Sequence, residues 1–190
     1  YAGPPLMRWL EEAPVEDDLR DKPFRMPVQW VNRPNLDFRG FSGMIASGVV
    51  RPGDRLKALP SGRESTVARI VTFTGDLPEA VAGQSVTLTL ADEIDVSRGD
   101  VLAEAGSPPA VADQFESTLV WFDEEPLLPG RPYLMKLGAR TVAAQIAEPK
   151  HKINVNTMEQ RAAKRLELNE IGVCNLLRDA QTPFDPYAEN

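Results

Sequence analysis

The residues of this chain that could do chemistry are few and lie far apart in sequence. The one histidine, His151, sits between Lys150 and Lys152. A general base needs a positioned nucleophile or water and a group to orient its ring, and a metal site needs several ligands converging on one point. A lone histidine between lysines supplies neither. Asp123-Glu124-Glu125 and Asp92-Glu93 carry oxygen donors without the regular ligand spacing of a calcium or magnesium loop, and read as solvated turns. Ser42 follows Gly40-Phe41 and so does not stand at the centre of a G-x-S-x-G elbow. Cys174 is the single cysteine, which rules out an intrachain disulfide or a Cys-based metal site; in the apolar run EIGVCNLL it reads as a small buried hydrophobe. No G-x-x-x-x-G-K-[ST] phosphate loop occurs. These patterns give no catalytic residue, no cofactor-binding residue and no metal ligand.

What remains is polar residues suited to recognition. Arg33, Asn35, Asp37 and Arg39 crowd a proline-containing connection between two apolar runs, more polarity than a strand connection of a few residues needs. Two readings stand open: a surface that faces another domain or subunit, or a self-satisfied loop in which Asp37 and Arg39 pair across the corner. Trp9, Trp30 and Trp121 read as core or domain-interface residues, with Trp9 the candidate for an interface. Arg98-Gly99-Asp100 spells an adhesion tripeptide, but between Val96 and Val101 it reads as a strand-joining turn in which glycine supplies positive φ. Arg51-Pro52-Gly53-Asp54 is the same device.

Strands and corners must hold these residues. The 190 residues are 42% hydrophobic and 26% charged, enough apolar surface for a packed core. Seventeen prolines and 13 glycines in turn-like contexts suit short strands better than long helices. Much of the net charge of −7 sits in residues 1–21, where Glu11, Glu12, Glu16, Asp17, Asp18 and Asp21 face only Arg8 and Arg20. In the nearly neutral remainder only Lys150, His151 and Lys152 form a compact basic cluster, which reads as a solvated strand end and argues against the basic face of a nucleic-acid binder. No run approaches the roughly 20 apolar residues of a membrane span, and a cytoplasmic, reducing location fits.

Leu6, Trp9 and Leu10 share one face of a short amphipathic helix after Pro4-Pro5, and that exposed apolar face expects a partner. Strands are predicted at 25–31, 38–46, 54–59, 66–73, 85–90 and 101–103, with Val86, Leu88 and Leu90 facing a core. Gly106-Ser107-Pro108-Pro109 is a rigid connector, and the barrels meet near 104–113. A second β unit follows at 115–122, 133–137, 140–147, 151–154 and 171–177. The segment 157–168 reads as a short helix or long loop from the spacing of Met158, Ala162, Ala163 and Leu166.

Four runs carry a resemblance: FRMPVQWVNRPNLDFRGFSG at 24–43, EAVAGQSVTLTLADEIDVSRGDVL at 79–102, LMKLGARTVAAQI at 134–146 and LELNEIGVCNL at 166–176. The order of strand, glycine corner and Gly-Asp turn resembles the second domain of the translation-factor GTPases, and the wording NRPNLDFRGFSG is similar to the large, GTP-hydrolysing subunit of bacterial sulfate adenylyltransferase. The resemblance implies an all-β fold of two consecutive small β-barrels of the domain 2 and domain 3 type, after a short N-terminal helix. It divides the chain into 1–21, the end of a GTPase domain and linker; 22–107, the first barrel; and 108–190, the second, expected to be one strand short. It implies a non-catalytic region of an enzyme that makes adenylyl sulfate from ATP and sulfate, with GTP and Mg held on a separate GTPase domain. That domain and the small catalytic subunit are the implied partners, without nucleic acid or membrane. A translation elongation factor-like barrel region binding tRNA or ribosome, and a stand-alone protein-binding barrel, are the alternatives.

Overall fold

The computed structural model describes residues 3, 5–12 and 19–186. Most of the acidic tether and the end of the FDPYAEN tail fall outside the described residues. Helix α1 (Leu6–Glu12) begins after Pro5, whose carbonyl accepts the Trp9 N–H at 3.0 Å. None of its residues is buried.

The first barrel is built from β1 (Arg25–Pro27), β2 (Trp30–Asn32), β3 (Gly40–Met44), β4 (Val49–Val50), β5 (Arg55–Leu59), β6 (Arg63–Thr72), β7 (Gly75–Leu77), β8 (Ala80–Val81), β9 (Ser85–Leu90) and β10 (Val101–Glu104). Antiparallel ladders run in the order β1-β10-β5-β6-β9-β3-β2, with β7 on the end of β6 and β4 paired to β8. The path closes because β1 and β2 are one extended run with a neighbour on each flank. On one side Arg25 lies opposite Ala103 and the Val28 N–H donates to Asp100 O at 2.8 Å. On the other, Arg25 N–H donates to Ser47 O at 3.0 Å and Gln29 N–H to Ser42 O at 2.8 Å. Closure removes the unpaired edges that an open sheet would expose.

Alternation along the strands fills this barrel. Val86 and Leu88 point inward with Met26, Val28, Phe41, Ile45, Ile70 and Leu102, while Leu90 packs half-buried against the cluster. Gly43 shows how tightly β3 crosses the first run: a Cβ built there would stand 2.3 Å from the Pro27 carbonyl oxygen.

The second unit contains β11 (Ala110–Val120), β12 (Pro132–Leu137), β13 (Arg140–Ile146), β14 (His151–Ile153), β15 (Gln160–Arg161) and β16 (Ile171–Phe184). Strand β16 is its spine. It pairs with β11 along one flank and with β14 and then β13 along the other, while β12 adds to β13 and β15 to β14. Among the described residues β11 and β12 have one ladder partner each. The register against β11 jumps between Ala112, opposite Thr182, and Gln114, opposite Leu177, so β16 bulges at residues 178–181. The core is smaller here: Leu127, Ile146, Leu166, Cys174 and Leu176 are buried, and Trp121 meets Tyr133 edge to face at 5.6 Å.

The two readings of residues 157–168 resolve to a loop. Asn154 turns the chain by accepting the N–H groups of Asn156 and Thr157, Met158 takes a positive φ of 58°, and β15 follows. Helical spacing lost to one tertiary contact: Leu166 is fully buried against Gly172, whereas Met158 stays exposed. The short strands β4, β7, β8 and β15 were not legible from alternation, because two or three residues cannot show a period.

The two units are joined at residues 105–109, between β10 and β11. Arg25 clamps them: its Nε and Nη2 donate to Asp185 Oδ2 and Oδ1, both at 3.0 Å. Nearby, Gly99, at φ 93°, lies against Arg140 so closely that a Cβ would come 2.9 Å from that of the arginine.

Two outcomes follow from this packing. Gly43→Ala forces β3 away from Pro27 and costs about 1–3 kcal/mol, the range for overpacking a filled core; the melting temperature of the first barrel falls, whereas Gly106→Ala, with open space around its Cβ and no left-handed φ, costs less. Asp185→Asn leaves the 11% exposed Arg25 guanidinium without its carboxylate and costs about 1–2 kcal/mol, discounted for partial exposure. Small-angle scattering then shows a larger maximum dimension as the barrels part, and unchanged scattering contradicts the clamp.

Candidate interaction surface

Strand β2 leads Trp30 and Asn32 into the polar loop and β3 returns from it, with Trp30 opposite Ser42, Val31 opposite Phe41 and Asn32 opposite Gly40. The inward positions, Val31 and Phe41, belong to the core, so Trp30 and Asn32 are turned to the outer face. At the tip, Asn35 Oδ1 accepts the Asp37 N–H at 3.0 Å, a side-chain turn that sets the shape of the loop. Leu36, beside it, is 88% exposed. Arg33, Asn35 and Asp37 are exposed as well, while Arg39 is half-buried.

Arg39 does not pair with Asp37. Its guanidinium lies 5.5 Å from the centre of the Phe41 ring and 3.9 Å from Asp95. The cause is backbone direction: Arg39 immediately precedes β3 and lies against the barrel, whereas Asp37 is still in the turn. Trp9 stands apart from these four residues, exposed on α1.

Next to the loop the outer face of β2, β3, β9 and β6 forms a shallow groove of about 460 Å³. Its floor is polar but uncharged, with the hydroxyls of Ser42 and Thr87 bonded at 2.8 Å. Large apolar groups flank it: Trp30 is 60% exposed, Met44 48% and Phe73, at the β6–β7 tip, fully so. The lining holds no Asp, Glu, Lys or Arg. On β6, Arg69 donates to Asp76 from Nε and Nη2 and holds that carboxyl below its usual range. Such a face suits an uncharged polypeptide surface better than an ion.

Sequence reasoning named the loop and missed the groove. Trp30 read as core or interface, and the structure turns it outward; Trp121 is half-buried, its Nε1–H donating to Glu125 O at 2.8 Å. Phe73 read as the end of a strand. The available signal was its setting, Thr72-Phe73-Thr74-Gly75, an aromatic ring in a hydroxyl-rich hairpin tip with nothing to pack on.

The other chemical groups are occupied locally. Lys150 pairs with Glu116 and Lys152 with Glu170, so the flanks of His151 are neutralised across strands. Cys174 is fully buried, which pushes its thiol up. Asp123 Oδ1 accepts the Glu125 N–H, Asp92 bonds Ser65, and Asp100 closes its turn by accepting the Ser97 N–H. Among the described residues no group of three or more His, Cys, Asp or Glu converges, and no helix is long and apolar enough to cross a membrane.

Comparison with known proteins places this geometry. The description "Elongation factor Tu domain 2" matches residues 41–103, and "GTP-eEF1A C-terminal domain-like" matches residues 114–190. A bifunctional enzyme CysN/CysC of Xylella fastidiosa is 54% identical over 191 residues, covering 100% of this chain and 30% of the relative. Sulfate adenylyltransferase subunit 1 of Aeromonas hydrophila is 51% identical over 100% of the chain and 40% of its own length, and the bifunctional enzyme NodQ of Rhizobium sp. strain N33 is 50% identical over 100% and 29%. The chain thus spans well under half of the relatives it matches. Among solved structures, sup35 complexed with GDP superposes with a TM-score of 0.81 at 17% identity, covering 98% of this chain and 46% of that one, a likeness of fold. Over its whole length the chain is similar to part of sulfate adenylyltransferase subunit 1 and of the bifunctional CysN/CysC and NodQ enzymes, and each of its two barrels matches a translation-factor domain.

Proposed function

We propose that this chain is the non-catalytic barrel region of a GTP-dependent sulfate adenylyltransferase large subunit, coupling GTP hydrolysis to the synthesis of adenylyl sulfate from ATP and sulfate in cytoplasmic sulfate assimilation. The observation that carries this reading is identity of 50–54% along the whole chain to relatives bearing that name or the names of the bifunctional enzymes. GTP and Mg are then held by a GTPase domain, and adenylyl transfer by a small catalytic subunit; both are partners of this chain.

The role left to the barrels is mechanical. A packed barrel does not deform continuously, so a change of nucleotide state reaches a distant subunit as a shift of whole units. The Arg25–Asp185 clamp favours movement of the two barrels together. The uncharged groove between Trp30 and Phe73, with the loop of Arg33, Asn35, Asp37 and Arg39, is the face offered to a partner, and the apolar side of α1 with Trp9 is a second one. Among the described residues β11 and β12 each have one ladder partner, and Phe122 and Leu134 are 75% and 82% exposed; a further strand covering them belongs to the same reading.

Trp30→Ser and Phe73→Ser test it. Both residues are exposed, so the fold of the chain changes by about 0.5 kcal/mol or less. In an enzyme assembled with its GTPase domain and small subunit, either change weakens assembly or GTP-stimulated turnover by about tenfold, the scale of an aromatic anchor at an interface. Unchanged assembly and turnover in both variants reject this face as the contact. The second barrel, with its smaller core, melts before the first, as hydrogen exchange resolved by residue would show; simultaneous exchange of both cores contradicts this.

A further inference from the structure

The inward-facing row of β16 reads Gly172, Cys174, Leu176 and then Arg178. A guanidinium at the fourth position of a core-facing row is unexpected, because charged groups enter a protein interior only when paired. Arg178 is 3% exposed, the one charged residue so deeply placed among the described residues. Its Nη1 donates to Thr182 Oγ1 across the bulge, while Nε and Nη2, sealed from solvent, meet no acceptor. The neighbouring charge makes matters worse. Arg140 shares a face of β13 with Ala144, which lies directly opposite Arg178; burial first, and then this second cation, push the Arg178 guanidinium below its ordinary value.

The edge of Arg178 without an acceptor is the edge by which Arg25 holds a carboxylate in the same molecule. There Nε and Nη2 donate to the two oxygens of Asp185 at 3.0 Å. That planar fork matches a carboxylate or a tetrahedral oxyanion. Residues 178–181 form the bulge and have no ladder partner on β11, while Arg178 stays paired to Ala144 of β13 on the other flank, so the side toward β11 is the one an anion would approach from. Asp179 and Gln181 on the bulge are exposed and point away from the row of Arg178. Asp100, half-buried, acts electrostatically on Arg140 from the first barrel.

We propose that Arg178, supported by Arg140, is an oxyanion-binding site at the β16 bulge, receiving the two oxygens of a carboxylate or of a sulfate-like anion on Nε and Nη2. The occupant is either a free anion or the acidic side chain of a polypeptide, which share this chemistry.

Thermal unfolding of the 190-residue chain and of Arg178→Met decides the matter, with sulfate or acetate exchanged for chloride at constant ionic strength. Sulfate stabilises folded proteins generally, so the difference between parent and variant is the readout. The parent gains a saturable rise in melting temperature that exceeds the variant's by about 3 °C or more, and Arg140→Met retains part of it. A response to acetate but not sulfate assigns the site to a side-chain carboxylate; a response to sulfate but not acetate assigns it to a free tetrahedral anion. Equal responses of parent and Arg178→Met to both anions overturn the proposal. Should Arg178→Met fail to fold, the Nε–H resonance of Arg178 in the parent chain, titrated with sulfate and acetate, decides alone: a saturable shift supports the site, and no shift with either anion overturns it.

Discussion

Arg25 is the point on which the architecture depends. Its backbone lies between β10 and the Ser47 segment and so closes the first barrel on both flanks. Its side chain leaves that barrel and grips Asp185, just beyond the last strand of the second. A third bond, from Nη1 to Phe24 O at 3.0 Å, holds the guanidinium to its own strand. Closure of one unit and orientation of the other therefore share a single residue. With 11% of its side chain exposed, the ion pair is screened less than the surface pairs at Arg8–Glu12 or Arg165–Glu167.

Around that point the two units are unequal. Among the described residues the first is closed and packs sixteen buried hydrophobic residues into one cluster, whereas the second has five and leaves β11 and β12 with a partner on one side. Aromatic pairs compensate in part: Phe115 meets Phe184 edge to face at 4.9 Å, and Tyr133, edge to face with Trp121, accepts the Leu128 N–H on its hydroxyl. These contacts fix side-chain direction, but they do not supply backbone partners to an edge strand. The same unit carries the buried Arg178. A small core with a cation in its inward row is a worse hydrophobic solution than the sequence could have adopted, and such departures from local consistency concentrate where another requirement acts.

Most of the fold was legible because barrels write themselves into sequence with period two and with glycine corners. Val86 and Leu88 fell inward as their alternation requires, and Gly43 stands where the chain must approach Pro27. The polar loop was legible too, since four charged or amide residues around a proline exceed what a turn needs. Three things were not. Arg39 turned from Asp37 to Asp95 and Phe41, a choice made by tertiary direction. Trp30 holds an ordinary strand position whose outer face only the path of the barrel decides, and Phe73, which read as the end of a strand, stands in the hairpin tip beyond β6. Arg178 sits in the sequence as one more charged residue beside Asp179; its burial depends on the register of β16 against β13, which no local pattern encodes.

The uncharged groove and the buried clamp bear on coupling in complementary ways. A partner held by a hydroxyl floor and aromatic walls is insensitive to salt and orientated by shape, because neither interaction is screened by ions. A clamp formed by one bidentate pair contributes a few kcal/mol at most, the scale of typical coupling energies between sites. An interface far stronger than the clamp would tear the barrels apart before it moved them, and one far weaker would transmit nothing. The connector at residues 105–109 limits the alternatives, since Pro108 and Pro109 restrict their own φ and the conformation of Ser107. Under the coupling role proposed for the barrels, the stiff connector and the clamp together favour a rotation of the first barrel about Arg25 that carries the second barrel with it.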